Sequence, residues 1–515
     1  MDHRCGPRHH DVLFARSVIG GPGSTKGGAW RRIDPALLWL LLLAAVIRLS
    51  IALLTVYHHP DEIWQYIEPA YGLVTGDWVR TWDIRLGIRS WLIPLAILPS
   101  VWLGHAIDPA GELHLLLPRL ATGLASLGVV WSAWSFGARI TRQHAIAAAF
   151  VAAVWVDIAY FGVRPSSGSL ATLAILPSLA LLVRFRDAGR GQDAVLAGFL
   201  LGLGCISRFP LGPALVIPFL WAARFDFRKS WPLLLGGAAG GVLVDVFANA
   251  IMGEWPLLWI YNNVFANVVA NRSHAYGLEP ATWYLQVLAW QWQFAFVLIL
   301  PSLVFGAKRY PVLLATALAV IAVHSGIGHK EYRFILLGVM LLVLLAAIGS
   351  VDLLQWLARK GQNAVPKRRF ALLLVLWLAL SVHLGAVQPF AVNWTIGQAP
   401  LKALRTARLV PGVCGVATYR IRDVPFMSRA MFNRDVPALL LDGPISASLA
   451  QSRYNVAIAP IEHLGELPQA YRFAGCMSPR APLFEQQYCV AVRPGPCTGS
   501  AGVFDYNRQL IAKDL

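Results

Sequence analysis

Long apolar runs, separated by short polar loops, fill the chain from residue 36 to residue 390. A membrane-spanning helix needs about 20 mostly apolar residues. The runs close to this length are 36–56, 90–107, 115–137, 144–163, 168–184, 194–223, 231–252, 283–305, 311–327, 332–350 and 370–390. Because 194–223 is long enough to be kinked or split in two, the pattern predicts an α-helical polytopic membrane protein with about eleven or twelve transmembrane helices.

The two ends of the chain have a different pattern. Residues 1–35 are rich in Gly, Arg and His without an apolar core, and we expect a disordered cytoplasmic tail there. After the membrane domain at 36–390, the apolar runs of residues 391–515 become short and are interrupted by Pro, Gly and Arg. Strands are predicted at 413–420, 438–441 and 454–459, and a helix at 445–451. This part is therefore expected to be a small extracytoplasmic α/β domain.

Four of the six cysteines lie in the last quarter of the chain, at Cys414, Cys476, Cys489 and Cys497. Four cysteines in one segment outside the membrane are typical of disulfides in an oxidising compartment. Three pairings are possible, and the spacing leaves all three open. The segment contains no Cys-x-x-Cys pair, which argues against a zinc site.

The composition supports a membrane protein, since only 14% of the residues are charged against about a quarter in a soluble domain. The formal net charge is +17, but much of it lies in short loops between apolar runs. The positive-inside rule places such loops in the cytoplasm. Nucleic-acid binding is not expected, because no basic stripe with interleaved aromatic residues occurs outside the apolar runs.

The topology contains one conflict. If the runs 90–107 and 115–137 both cross the membrane, the basic residues at 138–143 lie on the same side as the acidic loop at 57–89. Either one of the two runs is re-entrant, or Arg139 and Arg142 face outside. The sequence leaves both solutions open.

The first cluster of candidate chemistry follows the first apolar run. Asp61 and Glu62 are adjacent carboxylates where the chain leaves the membrane, and charged groups beside hydrocarbon usually serve a function because they are costly there. The alternative is a solvated loop in which Asp61 caps a helix. The loop 57–89 also carries arginines and tryptophans, and its indole rings suit either the membrane interface or the face of a sugar.

A second cluster lies at 328–334 between two apolar runs. His329, Lys330 and Arg333 place three cationic side chains at an outer membrane boundary, which suits binding of a phosphate. The alternative is a salt-bridged hairpin in which Glu331 neutralises one of them. Arg164 and Arg208 are weaker candidates, since snorkelling at a helix end explains each equally well.

The two clusters suggest one reaction. A carboxylate can act as general base for an incoming hydroxyl, and cations can stabilise a phosphate leaving group. Since a phosphate leaves without prior protonation, a single base suffices. The combination predicts glycosyl transfer from a sugar carried on a lipid phosphate.

The residues of both clusters resemble a known family. The run His-Pro-Asp-Glu at 59–62, together with Thr-Trp-Asp at 81–83 and Ile-Arg-Ser at 88–90, is similar to the first luminal loop of the glycosylphosphatidylinositol (GPI) mannosyltransferases, especially those that add the third mannose. The run His-Lys-Glu-x-Arg-Phe at 329–334 resembles their second signature. These enzymes belong to glycosyltransferase family 22, the dolichyl-phosphate-mannose-dependent α-mannosyltransferases, and the resemblance covers 36–390.

The resemblance implies a GT-C fold and an inverting transfer that needs no metal and no cofactor. It implies that Asp61 is the general base, that Glu62 assists it or orients the acceptor, and that His329, Lys330 and Arg333 lie near the donor phosphate. The residues it implies for the acceptor or substrate loop are Trp64, Gln65, Glu68, Trp82, Arg89 and Arg164. Where the family has an Asn-bearing stretch after this arginine, the chain has Ser-Ser-Gly-Ser at 166–169.

The arginine-rich, lysine-poor composition is typical of a bacterial protein. The expected partners are then a polyprenyl-phosphate sugar, a lipid-linked or glycan acceptor and the lipids of the inner membrane, with the site on the periplasmic side; in a eukaryote it faces the endoplasmic reticulum lumen. One alternative is a different GT-C transferase that uses arabinose, or lipid A or protein as acceptor. Another is a transporter of a lipid-linked sugar, but Asp157 and Asp245 are single acids within the apolar runs rather than a pair.

Overall fold

The computed structural model describes residues 34–358, 365–421, 426–477 and 487–515. The expected cytoplasmic tail falls outside this part, apart from residues 34 and 35. Basic residues 359 and 360 fall outside it as well.

Helices form the described chain as far as residue 386. In chain order they are α1 (Pro35–Leu54), α2 (Glu68–Thr75), α3 (Trp82–Arg85), α4 (Leu92–Ile107), α5 (Leu113–Ala125), α6 (Leu127–Ala138), α7 (Arg142–Val154), α8 (Val156–Phe161), α9 (Ser167–Ala188), α10 (Gly191–Ser207), α11 (Gly212–Ala223), α12 (Ser230–Ile251), α13 (Leu258–Val264), α14 (Trp283–Trp292), α15 (Phe296–Arg309), α16 (Pro311–Ser325), α17 (Leu336–Leu357) and α18 (Lys367–Ala386). A π-helix (Glu62–Ile67) precedes α2, and a 3₁₀ turn (Tyr332–Ile335) precedes α17.

Every predicted apolar run is helical, which confirms the helical membrane fold. Within the described ranges, seven helical segments are individually long and apolar enough to cross a membrane: α1, α5 with α6, α9, α12, α14 with α15, the 3₁₀ turn with α17, and α18. The run 194–223 is split, as expected, into α10 and a following segment at a bend of 119°. Helices α4 and α16 are apolar but shorter.

The basic loops meet at one end of the helical bundle. Polar contacts there join the starts of α1 and α7 (Arg142–Asp34) and the ends of α6 and α9 (Arg139–Asp187). In the same region Asp352 of α17 contacts His144 at the start of α7 and Arg309 at the end of α15. The loops expected in the cytoplasm therefore lie together, as the charge pattern predicts.

Helix α4 resolves the topological conflict, because both of its ends lie at the opposite end of the bundle. Before α4, the hydroxyl of Ser90 donates to Asp245, near the C-terminal end of α12. After α4, the carbonyls of Pro109 and Gly111 each accept a 2.8 Å hydrogen bond from Asn433 in the C-terminal part. The run 90–107 therefore does not carry the chain across the bundle, and the segment formed by α5 and α6 returns the chain to the basic end.

The C-terminal part is a five-stranded sheet in the order β2-β1-β3-β5-β4. Its elements are α19 (Gln398–Arg408), β1 (Val416–Tyr419), α20 (Arg429–Phe432), β2 (Ala438–Leu441), α21 (Pro444–Leu449), β3 (Val456–Pro460), β4 (Arg472–Met477), β5 (Tyr488–Val492) and α22 (Tyr506–Ala512). Strands β1, β2 and β3 are parallel, whereas β5 runs antiparallel to both neighbours. The structure contains the three predicted strands and the predicted helix, and adds β4 and β5.

Two disulfides select one of the three possible pairings. Cys414 is joined to Cys497, and Cys476 to Cys489. The first bond closes a long segment around most of the sheet, and the second joins neighbouring strands β4 and β5.

One hydrophobic core joins the loop after α1 to the C-terminal part. Ile63 and Trp64 of the π-helix belong to the same buried cluster as Leu404, Phe432 and Val490. The loop 57–89 is therefore packed against the C-terminal part, instead of lying free on the membrane surface.

Candidate active site

The two adjacent carboxylates of the first cluster stand in different surroundings. Asp61 and Glu62 lie where the π-helix Glu62–Ile67 begins, a few residues after α1. π-helical turns are rare and occur often at functional sites. The side chain of Glu62 is buried and accepts a 3.1 Å hydrogen bond from the backbone N–H of His58, whereas that of Asp61 is 28% exposed.

Arg333 joins the two predicted clusters. Its Nη2 donates to Oδ2 of Asp61 at 2.6 Å and to Oε1 of Glu331 at 3.1 Å, and its Nε also donates to Glu331. Burial raises the pKa of Asp61, but the charges of His59 and Arg333 outweigh burial and hold this pKa well below its usual value. Asp61 is therefore ionised at neutral pH.

The pKa of Glu62 is shifted in the opposite direction to that of Asp61. Burial raises the pKa of Glu62, although the charge of Arg164 opposes the change. Nη1 of Arg164 lies 3.9 Å from Oε2 of Glu62, while its Nη2 donates to Thr55 at 2.6 Å and its guanidinium covers the ring of Tyr160 at 4.1 Å. Environments that push the pKa values of two neighbouring carboxyls apart give them different roles.

His329 and Lys330 are occupied by protein partners. Nε2 of His329 lies 3.0 Å from Oε1 of Glu331, and this hydrogen bond raises the pKa of the histidine. Nζ of Lys330 is buried and donates to the backbone carbonyl of Glu279 at 3.0 Å and to that of Ile327. The lysine thus fastens the loop before α17 to the segment that precedes α14.

Asp157 holds Tyr332, the residue directly before Arg333, by a hydrogen bond. The hydroxyl of Tyr332 donates to one carboxylate oxygen of Asp157 at 3.0 Å, and Nε1 of Trp155 donates to the other at 3.0 Å. Since both oxygens are satisfied, Asp157 ties the break between α7 and α8 to the start of α17. Arg333 is held in place by this anchor.

Arg208, a weak candidate from sequence, lies close to the site. It stands at the bend between α10 and α11, with its guanidinium 4.5 Å from the ring centre of Phe334 and its Nη1 3.4 Å from the hydroxyl of Ser167. Within the described part of the chain, its Nε makes no hydrogen bond. Its position at a polar break in an apolar run is the sequence signal for this residue.

Glu68 connects the loop to the C-terminal part. Its fully buried carboxylate accepts hydrogen bonds from the hydroxyl of Ser428 at 2.6 Å and from the backbone N–H groups of Val79, Arg429 and Ala430 at 2.8, 2.9 and 3.0 Å. These four donors leave little capacity for a substrate. Glu68 therefore holds the loop against the C-terminal part. The sequence pattern alone does not indicate this structural role.

The other loop residues divide into buried and accessible ones. Trp64 and Gln65 are buried within the π-helix. Trp82 and Arg89 are partly exposed. Nε1 of Trp82 donates to the hydroxyl of Tyr276 at 3.0 Å.

Arg89 is a second arginine whose charge acts on Asp61. Its Nε is 3.3 Å from Oδ2 of Asp83. Its charge also contributes to the low pKa of Asp61, although less than those of His59 and Arg333. Asp61 is thus bonded to Arg333 of the second motif and is also influenced by the charge of Arg89 from its own loop.

The fold is that of the GT-C glycosyltransferases. The structure is similar to ArnT from Cupriavidus metallidurans bound to undecaprenyl phosphate, with a TM-score of 0.55 and 13% identity over 90% of this chain and 99% of that one. ArnT in the apo state gives a TM-score of 0.52, also at 13% identity, over 88% of this chain and 97% of that one. At this identity, the likeness establishes the fold alone.

Residues 39–403 match the profile of the Alg9-like mannosyltransferase family, and the chain belongs to this family. It is 27% identical over 290 residues to GPI alpha-1,2-mannosyltransferase 3 of Mus musculus, a match covering 54% of this chain and 52% of the relative. GPI mannosyltransferase 3 of Yarrowia lipolytica is 28% identical over 311 residues, covering 58% and 59%. The chain thus spans little more than half the length of these curated relatives, and the expected family and fold are confirmed.

Proposed function

We propose that this protein transfers mannose from a polyprenyl-phosphate carrier to a hydroxyl group of a lipid-linked or glycan acceptor. The observation that carries the proposal is the hydrogen bond of 2.6 Å between ionised Asp61 and Arg333. It places a general base and a cation suited to phosphate side by side, where the chain leaves the membrane. The family supports mannose as the sugar, and the polyprenyl phosphate bound to ArnT, which shares the fold, supports the carrier.

In the proposed reaction, Asp61 accepts the proton of the acceptor hydroxyl. The acceptor oxygen forms a bond to the anomeric carbon as the bond between that carbon and the phosphate oxygen breaks. The lipid phosphate leaves as an anion, so no general acid is required. Attack from the face opposite the phosphate converts a β-linked mannosyl phosphate into an α-mannoside.

We assign the donor phosphate to Arg333 and Arg208. Phosphate binding by a guanidinium is favoured because two parallel N–H groups match its oxygens, and Arg208 has an Nε without a partner in the described chain. His329 and Lys330 act by holding the loop that carries Arg333. The family resemblance implies a phosphate contact for Lys330, whereas the role proposed here is to support the loop that carries Arg333.

Glu62 and Arg164 are more deeply buried than Asp61, and their proposed role is to orient Asp61 as the base. Trp82 and Arg89 remain accessible and belong to the acceptor side. Trp64, Gln65 and Glu68 support the segment from within. The proposed roles thus follow the burial of each residue.

The distribution of basic loops along the helical bundle supports a proposed location for the site. The site lies at the end of the bundle opposite the basic loops, which the positive-inside rule assigns to the cytoplasm. We propose the periplasmic side of a bacterial inner membrane, or the lumen of the endoplasmic reticulum in a eukaryote. A transporter is less well supported, since Asp245 is bonded to Ser90 and to Trp259 at 3.1 Å, and Asp157 is likewise satisfied.

Radiolabelled polyprenyl-phosphate mannose, given to purified protein with a membrane lipid extract and EDTA, tests the proposal. We expect label in a new lipid or glycan, and at least about a 10²-fold loss in Asp61→Asn because a general base contributes that much or more. Asp442→Asn, which alters an exposed acid paired with Lys513 in the C-terminal part, is the matched control. Full activity in Asp61→Asn rejects the base assignment, and the absence of any transfer by the native protein rejects the donor.

A further inference from the structure

A groove of about 490 Å³ lies between α10 and α12, and none of the residues proposed for glycosyl transfer lines it. Its walls come from the first two turns of α10, with Gln192, Leu196 and Phe199, and from the middle of α12, with Gly236 and Gly240. Leu196 is 49% exposed, so the groove is open on its outer side. Because α10 and α12 belong to apolar membrane segments, the opening faces lipid.

The groove runs beside the line of closest approach between the two helices. A Cβ at Gly198 or Gly237 would lie 2.2 Å from a backbone carbonyl oxygen of the other helix, so these glycines are explained by helix packing. Gly236 is different, because a Cβ there would meet no neighbouring atom of the described chain within 4 Å. A glycine inside a helix is less stable than an alanine. Gly236 therefore leaves bare backbone, without a packing reason, where a ligand can approach closely.

Both helices begin at the basic end of the bundle, and basic residues stand directly before each of them. Arg190 precedes α10, and Arg228 and Lys229 precede α12. The loop before α12 is tied to the end of α9, because Arg224 donates to the backbone carbonyl of Arg186 at 3.0 Å. The groove thus extends from these three cations into the apolar part of the bundle.

The three cations have no partner within the protein. All are exposed, and within the part of the chain that the structure describes none of their side chains forms an ion pair or a hydrogen bond. The nearest acids in the sequence are already paired: Asp187 with Arg139, Asp193 with Arg184 at 3.3 Å, and Asp226 with the start of α12. An uncompensated positive charge therefore stands at the polar end of the groove.

Cations at one end and an apolar channel at the other match an anionic amphiphile. Basic side chains near the membrane surface attract anionic lipid head groups, and the positive ends of the α10 and α12 dipoles add to this attraction. Gly240 lies ten residues after the start of α12, which corresponds to about 15 Å along the helix. An acyl chain that starts at the basic end can therefore follow Leu196 and Phe199 to the far end of the groove.

We propose that the groove between α10 and α12 is a binding site for one anionic phospholipid of the leaflet at the basic end. Its phosphate binds to Arg190, Arg228 and Lys229, and one acyl chain lies against Phe199 and the bare backbone at Gly236. The lipid holds α10 and α12 together from outside and so stabilises the fold. This role is separate from glycosyl transfer and does not depend on the proposed reaction.

Phosphatidylglycerol is the probe, and phosphatidylcholine with the same acyl chains is the lipid without net charge; each is added to the purified full chain in a neutral detergent. We expect phosphatidylglycerol to raise the thermal unfolding midpoint by about 2 °C or more in a saturable way, and phosphatidylcholine to have no such effect. Gly236→Leu, which fills the groove at a position with open space, should abolish the shift. Ala239→Leu, at an exposed position of α12 outside the groove, should keep it.

A second pair of variants tests the head-group contacts without touching the groove. Arg228→Gln combined with Lys229→Gln should raise the half-saturating concentration of phosphatidylglycerol about tenfold or more, since each basic side chain contributes about a factor of five. Lys367→Gln combined with Arg368→Gln, which removes two exposed cations at the start of α18, should leave it unchanged.

Three results overturn the proposal. The first is an equal shift with both lipids in native protein, and the second is an unchanged shift in both Gly236→Leu and the double variant at Arg228 and Lys229. The third is an equal shift with inorganic phosphate, which shows that the acyl chain is not needed. Light scattering completes the test, because a native dimer that becomes a monomer in Gly236→Leu identifies a second copy of the chain as the occupant.

Discussion

Asp61 and Arg333 are 272 residues apart in the chain, and their side chains are joined by a hydrogen bond of 2.6 Å. The contact fastens the loop after α1 to the start of α17, two segments that the sequence presents as separate clusters. It also ionises the carboxylate, because the guanidinium charge helps to hold the pKa of Asp61 below its usual value. This pair thus contributes to both the geometry and the electrostatics of the site.

The pH dependence of kcat reports on this pair. Asp61 acts as a base only when ionised, so activity is lost as pH falls through its pKa. Since Arg333 lowers that pKa, Arg333→Gln should raise it and move the acid limb of the kcat profile to higher pH, in addition to reducing the rate. The limb should stay in place in Arg142→Gln, which removes an arginine at the basic end of the bundle. An acid limb at the same pH in Arg333→Gln contradicts the assignment of Asp61 as the base.

Arg208→Gln tests the proposed phosphate contact. A hydrogen bond to a charged group contributes about 1.5–3 kcal/mol, so the KM for the polyprenyl-phosphate donor should rise about tenfold or more, with a smaller change in the KM for the acceptor. Arg224→Gln, at the basic end where Arg224 bonds the carbonyl of Arg186, is the comparison. Equal donor KM values in Arg208→Gln and native protein remove Arg208 from the site.

Ser428→Ala tests the junction at Glu68. The substitution removes the 2.6 Å hydrogen bond to the buried carboxylate and should lower the free energy of unfolding by about 1–3 kcal/mol, because one acceptor site becomes unsatisfied. The thermal midpoint in detergent measures the effect. Ser452→Ala, at an exposed serine of the same part, should leave the midpoint unchanged, and equal midpoints for both variants contradict the prediction.

The two disulfides should differ in their contribution to stability. The bond between Cys414 and Cys497 closes 83 residues, and that between Cys476 and Cys489 closes 13. Loss of loop-closure entropy in the unfolded chain corresponds to about 4.5 and about 3 kcal/mol respectively. The double Cys→Ser variant of the first pair should therefore have the lower unfolding midpoint in a denaturant titration. The reverse order rejects the entropic account for this part.

The helices of the membrane domain follow directly from the sequence, because backbone in lipid must satisfy its hydrogen bonds internally and long apolar runs therefore form helices. The course of helix α4 through the bundle does not follow from its apolar sequence. Its run is as apolar as its neighbours, and its course is determined by polar contacts at both ends, from Ser90 to Asp245 and from Asn433 to the carbonyls after α4. Those partners are more than 150 residues away in the chain, so no local pattern reveals them.

The candidate site was predictable in its motifs but not in its contacts. Asp61 and Arg333 lie in the two motifs that resemble the family, and the sequence identifies both. The hydrogen bond between them is visible only in the folded structure. The charge of Lys330 predicts a phosphate contact, and the carbonyls that accept its hydrogen bonds in the structure are not visible in the sequence. The polar neighbours of Trp64 predict an exposed loop, yet Trp64 is buried because the C-terminal part covers that loop.

The bond between Glu68 and Ser428 has a consequence for how the protein is made. Residue 68 emerges from the ribosome 360 residues before its partner, and a buried carboxylate without donors is strongly unfavourable. The segment that carries Asp61 therefore cannot settle until residues 428–430 have been synthesised and brought to the same face of the membrane. A nascent or stalled chain can hold both signature motifs and still lack the donors that Glu68 requires, so we expect the proposed site to form only near the completion of translation.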